Sequence, residues 1–95
     1  MSIVIVGGNE CMERQYKNIC QEYQCSGKVF TKMEDGLKSK IGRPDLLILF
    51  TGTMSHKMLK CALNEVKGQK VKIARSHSSS ASALKRILAE NTCKA

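Results

Sequence analysis

The feature that most constrains the fold is a regular alternation between short apolar runs and segments with helical periodicity. The runs SIVIVGG (2–8) and DLLILF (45–50) are apolar at almost every position, which is typical of strands buried on both faces of a parallel sheet. Two weaker runs, KVFTK (28–32) and VKIARS (71–76), carry Lys or Arg within the strand. The sequence therefore predicts four strands, two of them deeply buried and two suited to sheet edges.

Between and after these strands, apolar residues recur three or four positions apart, as on one face of an amphipathic helix. The predicted helices cover residues 10–23, 34–41, 55–67 and 79–91. In the resulting βαβαβαβα order, right-handed crossovers place helices on both faces of a parallel sheet. With the two most apolar strands in the centre, the strand order becomes 2-1-3-4. We therefore predict one three-layer α/β/α domain over residues 1–95, with a minimal flavodoxin-like or Rossmann-like sheet.

The composition is that of a globular domain with an excess of positive charge. Hydrophobic residues make up 42% of the chain, and 16 Lys and Arg against 8 Asp and Glu leave a net charge of +8. Such a charge favours anionic partners, although a solvated basic surface accounts for it equally well. The basic residues are spread along the chain without an aromatic stacking platform or a helix-turn-helix pattern. The sequence thus carries no signal for specific nucleic-acid recognition.

Cysteine usage and the absence of targeting signals predict a cytoplasmic protein. The five cysteines form no CxxC pair, so neither a disulfide framework nor a zinc site is expected, and the thiols are expected to be reduced. The N-terminal run is too short and uncharged for a signal peptide, and no apolar run has membrane-spanning length. We therefore expect no membrane association.

Three predicted loops should meet at the carboxyl edge of the sheet, where open α/β sheets bind their ligands. Each loop leads into the N-terminus of a helix, whose unpaired N–H groups and positive dipole end attract anions. The candidate ligand-binding residues on these loops are Gly7, Gly8, Asn9, Thr51, Thr53, Ser55, His56, Lys57, Arg75, His77, Ser78, Ser79 and Ser80. The leading hypothesis is a ligand-binding or regulatory protein with an anion-binding crevice at the ends of strands 1, 3 and 4.

Each of these residues also has an ordinary structural role open to it. The Gly7-Gly8-Asn9 turn matches neither a GxGxxG fingerprint nor a P-loop, and glycine pairs after strands commonly serve tight turns. Ser55 and the Ser78–Ser80 run are suited to capping helices. The convergence of all these residues on one edge, rather than any single motif, carries the hypothesis.

Catalysis is the less favoured alternative. A Ser-His nucleophile would need an orienting acid and an oxyanion hole, and the aspartates Asp35 and Asp45 fall away from the predicted edge. Cys11, in the first turn of the first predicted helix, could accept a phosphoryl group, since a helix N-terminus lowers a thiol's pKa. We keep phosphotransfer through Cys11 as an alternative, and predict no metal site and no catalytic residues.

Three stretches together resemble the bacterial family known as domain of unknown function 2325. These stretches are SIVIVGGNE, the Ser55-His56 pair that starts a helix with a downstream Lys, and RSHSSSASAL. The resemblance implies a small cytoplasmic α/β protein in which His56 and the serine cluster matter. It also implies a haem-binding alternative, with His56 or His77 as axial ligand and Met54 and Met58 nearby. A small core with few aromatic residues would house haem more easily at a homodimer interface than inside one protomer, and an exposed apolar edge would favour such a dimer.

Overall fold

The computed structural model describes residues 2–31 and 40–91. Four strands and three helices of more than one turn make up this part of the chain. They are β1 (Ser2–Gly7), α1 (Glu13–Glu22), β2 (Ser26–Phe30), β3 (Leu46–Phe50), α2 (His56–Val66), β4 (Lys72–Ser76) and α3 (Ala81–Asn91). Single 3₁₀ turns, Glu10–Met12 and Thr51–Thr53, precede α1 and follow β3. The helix predicted at 34–41 lies almost entirely outside the described residues.

The four strands form one parallel sheet in the order β2-β1-β3-β4, as predicted. The register pairs Ile5 with Val29 on one side and with Ile48 on the other, and Ile48 in turn with Ala74. All five residues of β3 and residues 3–7 of β1 are buried, whereas Lys72, Ile73 and Arg75 of β4 are exposed. The prediction that the continuously apolar strands are central and the Lys- and Arg-containing strands are edges is confirmed.

Helices cover both faces of the sheet, so the domain has the three predicted layers. On one face, Ile3, Ile5, Ile48 and Phe50 pack in a cluster with side chains of α1 and α3, among them Tyr16, Ile19, Leu84 and Leu88. On the other face, Val4, Val6, Leu47 and Leu49 pack with Met58, Ala62 and Val66 of α2. Because successive strand residues point to opposite faces, each central strand supplies both clusters. Each fully buried Ile, Leu or Val contributes roughly 1.5–3 kcal/mol relative to an exposed position.

The first crossover differs from the prediction at both ends. The predicted helix 10–23 is a 3₁₀ turn followed by α1, which ends at Glu22. Gln24 has a positive φ of 58°, and the N–H of Cys25 donates to the carbonyl of Cys20. The chain therefore turns two residues earlier than predicted, and Ser26 and Gly27 begin β2 instead of breaking the helix. A glycine is needed at 27 because a Cβ there would lie 2.8 Å from the Cys20 Sγ.

Candidate functional site

The loops that follow β1, β3 and β4 meet at the carboxyl edge of the sheet. The N–H of Gly8 in the first loop donates to the Thr53 Oγ1 in the second at 2.7 Å, and this hydroxyl donates to the carbonyl of Phe50 at 3.1 Å. The second loop in turn contacts the third. A Cβ on Gly52 would overlap the carbonyl oxygen of His77 and lie 3.2 Å from its ring. The three predicted loops are thus in direct contact.

Tyr16 of α1 joins the first loop to the third. Its side chain is fully buried and packs on Phe50, with the ring centroids 5.5 Å apart. The hydroxyl accepts a hydrogen bond from the N–H of Asn9 at 3.1 Å and donates one to the carbonyl of Ser79 at 2.6 Å. One phenol therefore satisfies a donor and an acceptor on two different loops. Sequence reasoning placed Tyr16 only on the buried face of a helix and missed this role.

These contacts decide the role of the Gly7-Gly8-Asn9 turn. A phosphate cradle needs backbone N–H groups that are free to donate to a ligand. Here the N–H of Gly8 donates to Thr53, that of Asn9 donates to Tyr16, and that of Cys11 donates to the Asn9 Oδ1. Gly7 and Gly8 both have a φ of +92°, and a Cβ on Gly8 would lie 2.9 Å from the Tyr16 ring. The glycines serve a tight turn against Tyr16 and Phe50.

Two of the predicted serines cap helices. The Ser55 Oγ accepts from the N–H of Met58 at 3.2 Å at the start of α2, and the Ser80 Oγ accepts from the N–H of Ala83 at 3.2 Å at the start of α3. The Ser78 Oγ donates to the Ser80 Oγ, and Ser79 contributes its carbonyl to Tyr16. Ser55 and Ser80 therefore have the helix-capping role that the sequence offered as an alternative to ligand binding.

Four predicted cationic or titratable side chains surround this edge. His56 and Lys57 begin α2, Arg75 lies near the end of β4, and His77 follows it; all four are exposed. Between residues of the described ranges, the one ion pair is that of Glu13 with Lys17 on α1. Lys57 and Arg75 thus have no carboxylate partner within 2–31 and 40–91.

Two cavities at this end of the sheet lie beside β4. A groove of about 410 Å³ separates β4 from α3, with Arg75, Ser76, Ser78 and Arg86 among its lining residues. A smaller cavity of about 240 Å³ is lined by Ser78, Ser80, Ser82, Ala83 and Arg86. Another cavity, of about 350 Å³, lies at the opposite edge beside Asp45 and contains no predicted site residue.

Arg86 lines both cavities beside β4 and was not among the predicted site residues. Ser82 and Arg86 are four positions apart, so they share one face of α3. A search for a cation four residues after a serine in the first turn of the helix, here Ser82, would have found this position. Thr51 and Thr53, by contrast, lie in the 3₁₀ turn after β3, where the Thr53 hydroxyl is already bonded to Gly8 and Phe50.

The two alternative functions have less support in the geometry. His56 and His77 are exposed, and neither lines the two cavities beside β4. Cys11 is exposed and lies in the 3₁₀ turn Glu10–Met12 before α1, not within the first turn of α1 as predicted. Within the described residues, no group of three or more His, Cys, Asp and Glu side chains is placed to hold a metal ion. Haem binding and phosphotransfer stay predictions.

Comparison with known proteins gives one match. No curated protein and no solved structure matches the chain. None of the helices within the described ranges is long and apolar enough to cross a membrane. A family model described as an uncharacterized protein conserved in bacteria matches residues 2–91, nearly the whole chain. It is the model of the family that the Ser55-His56 and serine-cluster stretches resemble. The chain belongs to the DUF2325 family.

Proposed function

We propose that the protein is a non-enzymatic ligand-binding or regulatory module that binds an anionic small molecule at the carboxyl edge of its sheet. The observation that carries this proposal is that hydrogen bonds and close contacts hold the three loops at this edge of the sheet together. The loops after β1, β3 and β4 are joined through Thr53, Tyr16 and Gly52. The exposed cations around them have no ion-pair partner among the described residues. A preorganised edge with unpaired positive charge binds an anion without first being rearranged.

Within this edge, the proposed position is on the β4 side, at the start of α3. The amides of Gly8 and Asn9 already donate to Thr53 and Tyr16, which favours the β4 side of the edge. Beside β4, Arg86 lines a cavity with the hydroxyl-bearing residues Ser78, Ser80 and Ser82. A guanidinium gives bidentate hydrogen bonds to phosphate or carboxylate, and serine hydroxyls donate to the remaining oxygens. Arg75 lines the neighbouring groove together with Arg86, and His77 follows the end of β4.

The cytoplasm is the proposed location. The four cysteines within the described ranges, Cys11, Cys20, Cys25 and Cys61, are free thiols. Free thiols persist where the cellular environment is reducing. Homodimer formation and the absence of specific nucleic-acid binding stay predictions.

Titration with inorganic phosphate, followed by amide NMR, tests the proposal. We expect saturable shifts at Ser82, Arg86 and His77, and an affinity that falls by about tenfold in Arg86→Ala. Lys85→Ala is the matched control, because Lys85 is an exposed cation on the same helix that does not line either cavity beside β4. It should leave the affinity within about twofold. Shifts spread evenly over all exposed lysines, or equal effects of the two variants, would overturn the proposal.

A further inference from the structure

The outer edge of β4 presents backbone groups that pair with no strand in the described part of the chain. The N–H of Lys72 donates to the carbonyl of Asp45 at 3.2 Å, so this residue faces β3. Because backbone groups alternate in direction along a strand, Ala74 and Ser76 also face β3, while Ile73 and Arg75 direct their N–H and C=O groups outward. No other described strand pairs with β4. Such an edge is a template for another strand.

The space beside this edge has the position of a fifth strand. Doubly wound sheets that begin 2-1-3-4 commonly continue with a strand beyond the fourth. In this protein the groove of about 410 Å³ between β4 and α3 lies at that position. Its lining includes the apolar residues Ala74, Ala83 and Ile87. Ile73 of the same strand is 41% exposed and is the one large hydrophobic residue exposed in the described part of the chain. The edge is thus both unpaired and partly apolar.

The charge around the β4 edge indicates which kind of strand would pair with it. Lys70, Lys72, Arg75 and Arg86 are exposed along it, against Glu90. A second copy of the chain would bring two such sets of cations together, and two copies would each carry a net charge of +8. An acidic strand meets the same cations with opposite charge. Electrostatic complementarity therefore favours an acidic partner over self-association.

We propose that β4 is a docking edge for an extended acidic segment of a partner protein, which adds to the sheet as a fifth parallel or antiparallel strand. Main-chain hydrogen bonds to Ile73 and Arg75 would supply the pairing, and side chains on one face of the added strand would enter the groove beside Ala74 and Ile87. Carboxylates on its other face would lie near Arg75. This docking goes beyond the proposed anion site, because it uses the backbone of β4 and does not require a small anion at Arg86.

A synthetic peptide of about six alternating Val and Glu residues, blocked at both ends, tests the docking. Fluorescence anisotropy should show saturable binding that weakens as salt increases. Amide exchange at Ile73 and Arg75 should slow by about tenfold at saturation, since both N–H groups become hydrogen-bonded. Arg75→Glu should weaken binding by about tenfold or more, whereas Lys85→Glu, the same charge change at an exposed position off the groove, should change it by less than about twofold.

Two control peptides and a phosphate titration test whether binding depends on strand pairing at β4. A peptide of alternating Val and Lys, and a Val-Glu peptide with a central Pro that cannot complete the ladder, should both bind at least about tenfold more weakly. Phosphate titration of an Ile73→Pro protein, which lacks the outward N–H of Ile73, separates the two proposals: peptide binding should weaken by at least about tenfold, while the phosphate affinity should stay within about twofold. The docking proposal is overturned if the Val-Glu peptide does not bind, if the amides that it protects lie on β2, or if the protein sediments as a dimer in which the Ile73 and Arg75 amides are already protected without peptide.

Discussion

At the scale of single residues, Tyr16 has the largest structural role at the candidate site. Its hydroxyl bonds the N–H of Asn9 and the carbonyl of Ser79, which belong to two different loops. No feature of the sequence distinguishes this tyrosine from an ordinary core residue at its helical spacing. Its role depends on β1 and β4 ending at the same edge, and only the folded chain brings these ends together.

Tyr16→Phe should destabilise the protein by about 1–3 kcal/mol, because it leaves the Asn9 N–H and the Ser79 carbonyl without their partner. Urea unfolding measures the change. Tyr23→Phe is the matched control, since the Tyr23 hydroxyl makes no hydrogen bond within the described residues; it should cost less than about 0.5 kcal/mol. An equal loss in both variants would show that the Tyr16 hydroxyl does not join the loops.

The Cys20 thiol should make the free energy of unfolding depend on pH in the alkaline range. It is buried in the core, and burial, with a smaller contribution from Cys25, raises the pKa of the Cys20 thiol from 9.0 to about 11. Between these two values the unfolded chain loses this proton while the folded chain keeps it, so the free energy of unfolding should fall as pH rises through this range. Below pH 9 the contribution of Cys20 should be constant.

Urea unfolding at a series of pH values from neutral upward measures this effect. Lysine and tyrosine titrations are common to all variants, so a comparison isolates the thiol. Cys20→Ala should flatten the alkaline decline, whereas Cys11→Ala, at an exposed position, should retain it. A decline of the same steepness in Cys20→Ala would assign the pH dependence to other groups.

At the scale of elements, the start of α3 joins a helix cap to the proposed anion site. The serine run after β4 predicted both a cap and a ligand contact, and the structure assigns the cap to Ser80. Ser79 offers its backbone to Tyr16 instead. The sequence could not divide these roles, because three successive serines have the same propensity and only the path of the chain between β4 and α3 distinguishes them.

Ser80→Ala should cost about 1 kcal/mol through loss of the cap on the N–H of Ala83. Ser79→Ala is the matched control, because the Ser79 contact in the described network uses its carbonyl oxygen, which alanine retains. Thermal unfolding followed by circular dichroism at 222 nm, a wavelength that reports on helix content, compares the two variants. Equal stability of both would mean that α3 does not depend on the Ser80 hydroxyl.

Among the strands, the apolar pattern predicted which lie in the centre of the sheet and which lie at its edges. It did not predict every strand boundary. The buried runs became β1 and β3, and the strands with Lys or Arg became the edges β2 and β4. The start of β2 was misplaced because Ser26-Gly27 has a turn composition, while the actual turn uses Gln24 with a positive φ. A non-glycine residue in that conformation is uncommon, so local propensity favoured the wrong position.

At the scale of the whole molecule, the charge imbalance should make stability depend on ionic strength. The net charge is +8, and the one ion pair between described residues joins Lys17 to Glu13 at 3.8 Å. Repulsion among exposed cations opposes the compact state and is screened by salt. We expect the free energy of unfolding to rise between about 10 mM and about 150 mM NaCl.

The matched variant for this prediction is Lys85→Glu, which lowers the net charge at an exposed position. Its unfolding free energy should exceed that of the unchanged protein at low salt, and the difference should shrink as salt increases. A salt dependence that is flat or reversed in the unchanged protein would show that repulsion does not limit its stability.

The amino-acid sequence by itself determined the architecture of this protein. The alternation of buried runs and helical periods specified a parallel α/β sheet, and the position of each Lys and Arg specified which strands lie at its edges, because charges are excluded from strands covered on both faces. Family membership also followed from short stretches around Ser55-His56 and the serine cluster. These properties depend on local pattern, which a linear sequence contains in full.

Only the tertiary structure decided which polar groups at the carboxyl edge are already used and which are free. It paired the Gly8 and Asn9 amides with Thr53 and Tyr16, placed Arg86 beside the serines at the start of α3, and left the outer edge of β4 without a partner among the described strands. The physical reason is that hydrogen bonds at this edge join residues up to 63 positions apart. Their formation depends on distances of a few tenths of an ångström, which residue order alone does not determine.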